Sequence, residues 1–191
     1  NMWGCEPFAI QPDLLTCAKQ LSAAYLPIAA LLMSDAFYQV LADQSEKLGT
    51  LGMGYTYGGH PVAAAVALET LKIYEQDGTV DHVRAVAPHF LRRLKALEAH
   101  PLVGEARGVG LLGGIEIVRN KATREQFEPA LKANAQVTNK CQEHGLLVRP
   151  LPNDSIGICP PMIITEAEID LLFDRLKAGL DDSLGAMPMA A

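Results

Sequence analysis

The chain has 191 residues, of which 49% are hydrophobic and 20% are charged, so it can bury a sizeable core as one large domain or two small ones. Its formal net charge of -6 at pH 7 leaves no basic face to neutralise phosphates, which argues against nucleic-acid binding. Charged or polar residues interrupt every apolar run before it reaches the roughly 20 residues of a membrane span, and we find no signal peptide. We therefore expect a cytoplasmic protein with no membrane or nucleic-acid partner.

The four cysteines, Cys5, Cys17, Cys141 and Cys159, are widely spaced. A chain of this length does not need disulfides to hold its fold, so we expect reduced thiols. None of the cysteines stands at metal-ligand spacing from another cysteine or a histidine, and the sequence therefore predicts no metal site.

Two short apolar runs near the start of the chain predict buried strands. Residues 12–17 open with a Pro-Asp turn signal and lead to Lys19, and residues 28–33 form the second run. Ser34 is typical of a helix N-cap, which predicts a helix over 36–41.

A glycine-rich stretch and two helices are expected next. Five glycines lie within eleven residues, a density that favours close backbone approach over regular structure: Gly49, Gly52, Gly54, Gly58 and Gly59. Pro61 predicts the first turn of a helix over 61–74. A second helix follows Thr79, and Pro88 predicts a break or kink in it.

The last third of the chain mixes strands and helices. Residues 103–118 read as strands with a glycine-rich crossing, and residues 127–144 as a helix that ends at Gly145. Short strands are expected over 146–148 and 156–159.

Thr165 and Glu168 form a capping-box pattern, which opens a last helix expected to run through about Leu176, with a frayed tail after Asp182. A shift in composition near residues 76–80 predicts two domains, 1–78 and 79–191.

Lys19 is the main chemical candidate. Its neighbours are small and apolar, and we expect them to shield its amine from water. Desolvation favours the neutral amine, which is a nucleophile towards carbonyls and can hold the aldehyde of pyridoxal phosphate (PLP). The alternative is a lysine that extends its amine to water from the start of a helix.

Three stretches at 18–28, 54–61 and 146–165 bear on this choice. They read Ala18-Lys19-x-Leu21-Ser22-x-x-Tyr25-x-Pro27-Ile28, then Gly54-Tyr55-Thr56-Tyr57-x-Gly59-His60-Pro61, then Leu146-Leu147-Val148-Arg149 followed by Cys159-Pro160-Pro161-Met162-Ile163-Ile164-Thr165. In order and separation they resemble three landmarks of the class III aminotransferases. Within that family the chain is most similar to the omega-aminotransferases that use pyruvate as amino acceptor.

The resemblance implies an α/β fold, that of the fold-type I PLP-dependent transferases related to aspartate aminotransferase. This chain would supply the end of the large parallel-sheet domain and then the small C-terminal α+β domain. The resemblance also implies PLP as cofactor, small amines and keto acids as substrates, and a homodimer.

The same resemblance implies roles for single residues. Lys19 resembles the lysine that binds the cofactor covalently and then moves a proton. Thr56 resembles the threonine that binds the cofactor phosphate from the neighbouring subunit, and Tyr55 beside it is a second cofactor-binding candidate, with packing or an interface as its alternative role. Arg149 resembles the arginine that pairs with a substrate carboxylate. Trp3 either lines the substrate entrance or packs in a core.

Parts of the family pattern are missing from this sequence. We find no counterpart of the aspartate that pairs with the pyridine nitrogen, of the aromatic residue that stacks on the ring, or of the Gly-Ser-Gly turn that binds phosphate. We therefore expect the C-terminal part of a longer transaminase, inactive in isolation. The alternatives are a PLP-dependent aminomutase or decarboxylase of the same fold and a non-catalytic remnant.

Overall fold

The computed structural model describes residues 1–188 and divides into two compact units, Asn1–Val80 (unit 1) and Asp81–Ala191 (unit 2). The sequence-based boundary after residue 78 stays a prediction for the domains of the whole protein.

Unit 1 contains a two-stranded antiparallel sheet. Strand β1 (Leu14–Cys17) pairs with β2 (Ala30–Met33), with Leu14 opposite Met33. Both predicted strands are therefore present, but the expectation that they are buried is wrong for this chain. Neither strand has a buried residue, because a two-stranded sheet has two faces and unit 1 does not cover them.

Helix α1 (Asp35–Leu48) begins where the sequence predicts and runs further. The Ser34 hydroxyl accepts a hydrogen bond from the Phe37 N–H at 3.3 Å, which satisfies one of the free donors of the first turn. Gly49 ends the helix in the left-handed conformation with φ of 73°. No residue of α1 is buried.

Helix α2 (Pro61–Gln76) confirms the helix predicted from Pro61, which occupies the first turn, where its missing N–H is harmless. The residues between α1 and α2 form neither helix nor strand. The buried residues of α2 are small: Ala63, Ala67 and Thr70.

Unit 2 is built on a four-stranded antiparallel sheet. Its strands are β3 (Val103–Val109), β4 (Leu112–Ile117), β5 (Arg149–Leu151) and β6 (Ser155–Ile158), arranged in the order β3-β4-β6-β5. Gly110 makes the tight turn between β3 and β4 with φ of 58°.

The predicted strand at 146–148 is placed wrongly, because the strand begins at Arg149. Pairing with β6 decides where this strand lies, and β6 offers its partners opposite residues 149–151.

Helices α3 (Thr79–Ala96), α4 (Ala133–Glu143) and α5 (Glu166–Leu184) complete unit 2, except that the first two residues of α3 fall in unit 1. Helix α3 continues through Pro88, so a break there is wrong, while a kink at Pro88 stays a prediction. Proline removes one hydrogen bond, and the apolar face of the helix is buried on both sides of it.

The helix predicted over 127–144 is also shorter than expected. Pro129 starts a short 3-10 turn, and Lys132 is left-handed with φ of 50°, so α4 begins only at Ala133.

The predicted capping box opens α5. The Thr165 side chain accepts from the Glu168 N–H, and the Glu168 carboxylate accepts from the Thr165 N–H at 2.8 Å. The helix continues to Leu184, eight residues beyond the predicted end. Part of the tail predicted to fray, residues 189–191, lies outside the described residues.

The core of unit 2 lies between the sheet and the helices. The Phe90 and Phe173 rings are 5.2 Å apart and tilted by 59°. Around them, β4 and β6 contribute fully buried isoleucines: Ile115, Ile117, Ile156 and Ile158. Burying each such side chain contributes about 1.5–3 kcal/mol, so unit 2 has a substantial core of its own.

Two negative findings apply to residues 1–188. No helix among them has the length and apolarity needed to cross a bilayer. Nor do three or more of their His, Cys, Asp or Glu side chains form a group suited to hold a metal ion.

Candidate active site

Lys19 follows β1 and begins a short 3-10 turn, Lys19–Leu21. Its φ is 51°, which places a non-glycine residue in the left-handed region. Such a conformation costs on the order of 1–3 kcal/mol and persists only where the surroundings impose it. The surroundings of Lys19 therefore hold it in a strained conformation.

The Lys19 side chain is exposed, and its amine has no hydrogen-bond or ion-pair partner among the described residues. The expectation that neighbouring residues shield this amine is wrong for this chain. Small apolar neighbours in sequence do not become a covering surface, since Ala18 and Gln20 are themselves exposed. Any shielding of Lys19 has to come from outside unit 1.

A cavity of about 680 Å³ lies elsewhere in unit 1. Its walls come from residues 26–29, from Tyr55, from residues 57–60 and from the start of α2. Apolar cavities of this size are typical of cofactor and substrate sites. Lys19 and Thr56 do not line it.

The loop that carries Tyr55 and Thr56 folds back on itself at Gly58. The Gly58 N–H donates to the Tyr55 carbonyl at 2.8 Å, and a Cβ at this position would lie only 3.1 Å from that oxygen. Tyr55 and Tyr57 are 82% and 80% exposed, and Thr56 between them is exposed as well. The structure thus presents a hydroxyl and two aromatic rings on one exposed loop.

Trp3 is half-buried, and its backbone N–H donates to the Glu6 carboxylate at 2.9 Å. It does not line the cavity that Tyr55 borders. A role at the substrate entrance therefore stays a prediction.

Arg149 belongs to unit 2, where it is the first residue of the edge strand β5 and lies opposite Gly157. Its side chain is exposed, and its guanidinium has no partner among the described residues. Pro150 follows in the same strand and is tolerated because an edge strand needs no N–H on its outer side. The backbone of Arg149 is thus held in a sheet while its charged group stays available to an anion.

Sequence reasoning missed two residues that contact the Lys19 turn. Ser22 is 2% exposed and donates its hydroxyl to the Leu26 carbonyl at 2.6 Å. Tyr74 in α2 donates its hydroxyl to the Gln20 carbonyl at 2.9 Å. Ser22 lies inside a recognised motif and could have been singled out, whereas Tyr74 is 54 residues from Gln20 and no local pattern connects them.

The class-III aminotransferase family model matches residues 1–180. The chain therefore belongs to the class-III aminotransferases, as the resemblance of its three motifs implied.

Named relatives agree with this assignment. The chain is 44% identical over 183 residues to the gamma aminobutyrate transaminase 3, chloroplastic, of Solanum lycopersicum, an alignment that covers 96% of this chain and 35% of the relative. It is 40% identical over 172 residues to the uncharacterized aminotransferase y4uB of Sinorhizobium fredii, covering 89% of this chain and 37% of the relative. The chain thus spans little more than a third of the length of these relatives.

Solved structures confirm the predicted fold. A transaminase with L-ala superposes with a TM-score of 0.93 at 42% identity, covering 97% of this chain and 44% of that one. The PMP-bound form of an aminotransferase from Vibrio fluvialis gives a TM-score of 0.93 at 34% identity, covering 97% and 41%. The chain therefore has the fold of part of a fold-type I PLP-dependent transferase.

Proposed function

We propose that this chain is part of a PLP-dependent aminotransferase that transfers an amino group from an amine or amino acid to pyruvate or another keto acid. The observation that carries the proposal is the exposed, unpaired amine of Lys19 on a strained turn, in a chain that belongs to the class-III aminotransferases. The likeness to a transaminase with L-ala supports pyruvate as acceptor, because alanine is the product that pyruvate would give.

The residues present fit this cofactor. Lys19 offers an amine with no competing ion pair, and Thr56 offers a hydroxyl on a loop whose glycines keep Cβ atoms out of the way of an oxyanion. Tyr55 adds an exposed aromatic ring beside that hydroxyl. When bound, PLP supplies an aldehyde and an electron sink.

Lys19 has two tasks in this proposal. Its Nζ would hold the cofactor covalently, and as a free amine it would take the proton from the carbon that bears the substrate amino group and pass it to the cofactor. Both tasks require a neutral amine, which water disfavours. The exposure of Lys19 in this chain therefore supports an active form in which further polypeptide covers it.

Arg149 binds the carboxylate of a donor or acceptor in this proposal, because a guanidinium pairs with a carboxylate through two parallel hydrogen bonds. That several relatives are named gamma-aminobutyrate transaminases supports a donor for this protein that carries both an amine and a carboxylate. A donor without a carboxylate would not use Arg149.

We further propose a homodimer in which the loop with Thr56 reaches the cofactor of the second copy. The high exposure of Tyr55 and Tyr57 on this loop supports an interface there, since large exposed apolar patches on soluble proteins mark contact surfaces. Light scattering of the longer protein tests the dimer. We also propose a cytoplasmic location, tested by cell fractionation, although several relatives are named as chloroplastic or mitochondrial.

The decisive experiment uses the longer protein that contains this chain, supplied with PLP. Wild-type protein should be yellow, should change its absorbance when an amine is added and should form alanine from amine plus pyruvate. Lys19→Ala should lose all three properties. Lys47→Ala removes another exposed lysine, near the end of α1, and should keep them.

Three results would redirect the assignment. A Lys19→Ala protein that still shifts its absorbance with amine would refute the role of Lys19. A yellow protein that forms no alanine but converts its amine substrate would favour an aminomutase or decarboxylase. A colourless protein that ignores added PLP would favour a non-catalytic remnant.

The role of Arg149 has its own test. Arg149→Gln should raise KM for a donor with a carboxylate by about 10-fold or more, the worth of one charge-assisted contact. It should leave KM unchanged for an amine that has no carboxylate. An equal rise in both KM values would refute carboxylate binding by Arg149.

A further inference from the structure

The turn after β1 holds three non-glycine residues in the left-handed region within six positions. Lys19 has φ of 51°, Ala23 of 47° and Ala24 of 65°. Each costs on the order of 1–3 kcal/mol relative to an ordinary conformation. Specific contacts must therefore hold this turn, or it would relax to an extended or helical path.

The first contact comes from within the turn. The Ser22 and Ala24 N–H groups both donate to the Lys19 carbonyl, at 3.2 and 3.3 Å. The Ser22 hydroxyl is buried and donates to the Leu26 carbonyl at 2.6 Å. A buried hydroxyl that lost this acceptor would be costly, so the bond ties the turn to the segment that follows it.

The second contact comes from a distant helix. Tyr74 in α2 donates its hydroxyl to the carbonyl of Gln20 at 2.9 Å. The Tyr74 hydroxyl oxygen also lies 3.1 Å from the side-chain oxygen of Gln20. Burial raises the pKa of Tyr74 above 10.0, so the hydroxyl keeps its proton and stays a donor at any physiological pH. The Gln20–Leu21 peptide, the second one after Lys19, is thereby fixed to α2.

We propose that Ser22 and Tyr74 are positioning residues that hold Lys19 in its left-handed conformation and so aim its amine at the reacting carbon. This inference rests on the proposed function of Lys19. If the Gln20–Leu21 peptide were released, the turn would loosen, the φ of Lys19 would relax to negative values and its Cα–Cβ bond would turn away. A displacement of about 1 Å at a reacting group can cost on the order of 100-fold in rate.

Tyr74→Phe is the deciding variant, because it removes only the hydroxyl and keeps the ring. In the longer protein loaded with PLP, kcat should fall about 10- to 100-fold while KM for the amine stays within a factor of two. The absorbance band of the bound cofactor should titrate at a different pH from that of wild type, because the lysine nitrogen occupies a changed position. Tyr38→Phe on the exposed face of α1 is the matched control and should change none of these values.

A second readout does not depend on activity. In the cofactor-free longer protein, backbone amides over 19–25 should exchange with deuterium at least about 10-fold faster in Tyr74→Phe than in wild type. Exchange elsewhere should be unchanged. Ser22→Ala should give the same local effect, and if that variant does not fold, Tyr74→Phe decides alone.

The outcomes separate the two proposals. If wild-type protein shows no amine-dependent absorbance change, the proposed function fails, and exchange in the cofactor-free protein still tests whether Tyr74 holds the turn. If the wild type is active and Tyr74→Phe matches it in kcat, cofactor titration and amide exchange, the positioning role is refuted. A rise in KM equal to the fall in kcat, with a lower thermal midpoint, would also refute it in favour of a general structural role.

Discussion

Unit 1 and unit 2 differ in how far they bury their apolar residues. Among the described residues, the buried apolar residues of unit 1 are two alanines, Ala63 and Ala67, whereas unit 2 buries phenylalanines, leucines and isoleucines from three helices and a sheet. Large apolar side chains of unit 1 remain exposed instead, among them Tyr38 and Leu48 on α1. Unit 2 thus supplies its own core, and unit 1 does not.

The difference bears directly on the candidate site. Lys19, Tyr55 and Thr56 all belong to unit 1 and are all exposed, so the chemistry proposed for them depends on surfaces that unit 1 by itself does not provide. Arg149 instead stands on the well-packed sheet of unit 2. We therefore expect stability and site assembly to be separable properties.

The largest effect should come from separating the two units. Residues 79–188 alone should unfold in urea in one cooperative transition, because their core is complete within the segment. Residues 1–80 alone should show no cooperative transition, since two buried alanines cannot offset the entropy of ordering 80 residues. Circular dichroism against urea concentration checks both, and a cooperative transition in the 1–80 segment would contradict the comparison.

A buried leucine of unit 2 and an exposed leucine of unit 1 test the difference between the units with single side chains. Leu94→Ala should cost about 2–5 kcal/mol of unfolding free energy, because Leu94 is 2% exposed and its loss leaves a cavity. Leu48→Ala should cost less than about 0.5 kcal/mol, because Leu48 is 75% exposed. Urea unfolding of the 191-residue chain measures both, and equal losses would show that unit 1 is packed after all.

A pair of glycines tests how tightly α4 and α5 pack in unit 2. A Cβ at Gly179 would lie 2.6 Å from Cys141 Sγ and 2.8 Å from the Cys141 backbone nitrogen. Gly179→Ala should therefore cost about 1–3 kcal/mol. Gly185→Ala meets open space and should be nearly neutral. Thermal unfolding distinguishes the two, and a neutral Gly179→Ala would mean that α4 and α5 can separate freely.

The smallest expected effect is a dependence of unit 2 stability on pH through His100. Its side chain is 6% exposed, its Nδ1 accepts from the Leu102 N–H at 3.2 Å, and its Nε2 lies 3.3 Å from Asp181 Oδ1. Burial lowers the pKa of His100 below 6.5, opposed in part by the Asp181 charge and reinforced by Lys177 and Lys121.

The direction of this pH effect follows from which state, folded or unfolded, binds more protons. Because the folded pKa lies below the unfolded pKa, the unfolded state binds more protons, so the contribution is complete above about pH 6.5 and is lost as the pH falls through the folded pKa. His100→Asn keeps an acceptor for the Leu102 N–H and cannot titrate. It should remove this part of the acid sensitivity, measured as the thermal midpoint of residues 79–188 between pH 7.5 and 5.5. His89→Asn is the control and should retain it.

Local elements followed from the sequence in several places. Ser34 and Thr165 cap α1 and α5 as predicted, because capping depends on residues within one turn. The predicted start of the helix over 127–144 was wrong, because Pro129 and Lys132 interrupt a stretch that is otherwise helical in composition. The strand predicted over 146–148 lies instead at Arg149–Leu151, because pairing with β6, and not propensity, sets its position.

The sequence by itself determined the family, the lysine that carries the proposed chemistry and most helix starts, since motifs and caps depend on neighbouring residues. Only the tertiary structure decided that Lys19 is left-handed and exposed, that Tyr74 bonds to the Gln20 carbonyl, and that among the described residues the core lies in unit 2. These properties depend on contacts between residues far apart in the chain. The free energy of burying or straining a residue is a property of those contacts and not of its immediate neighbours.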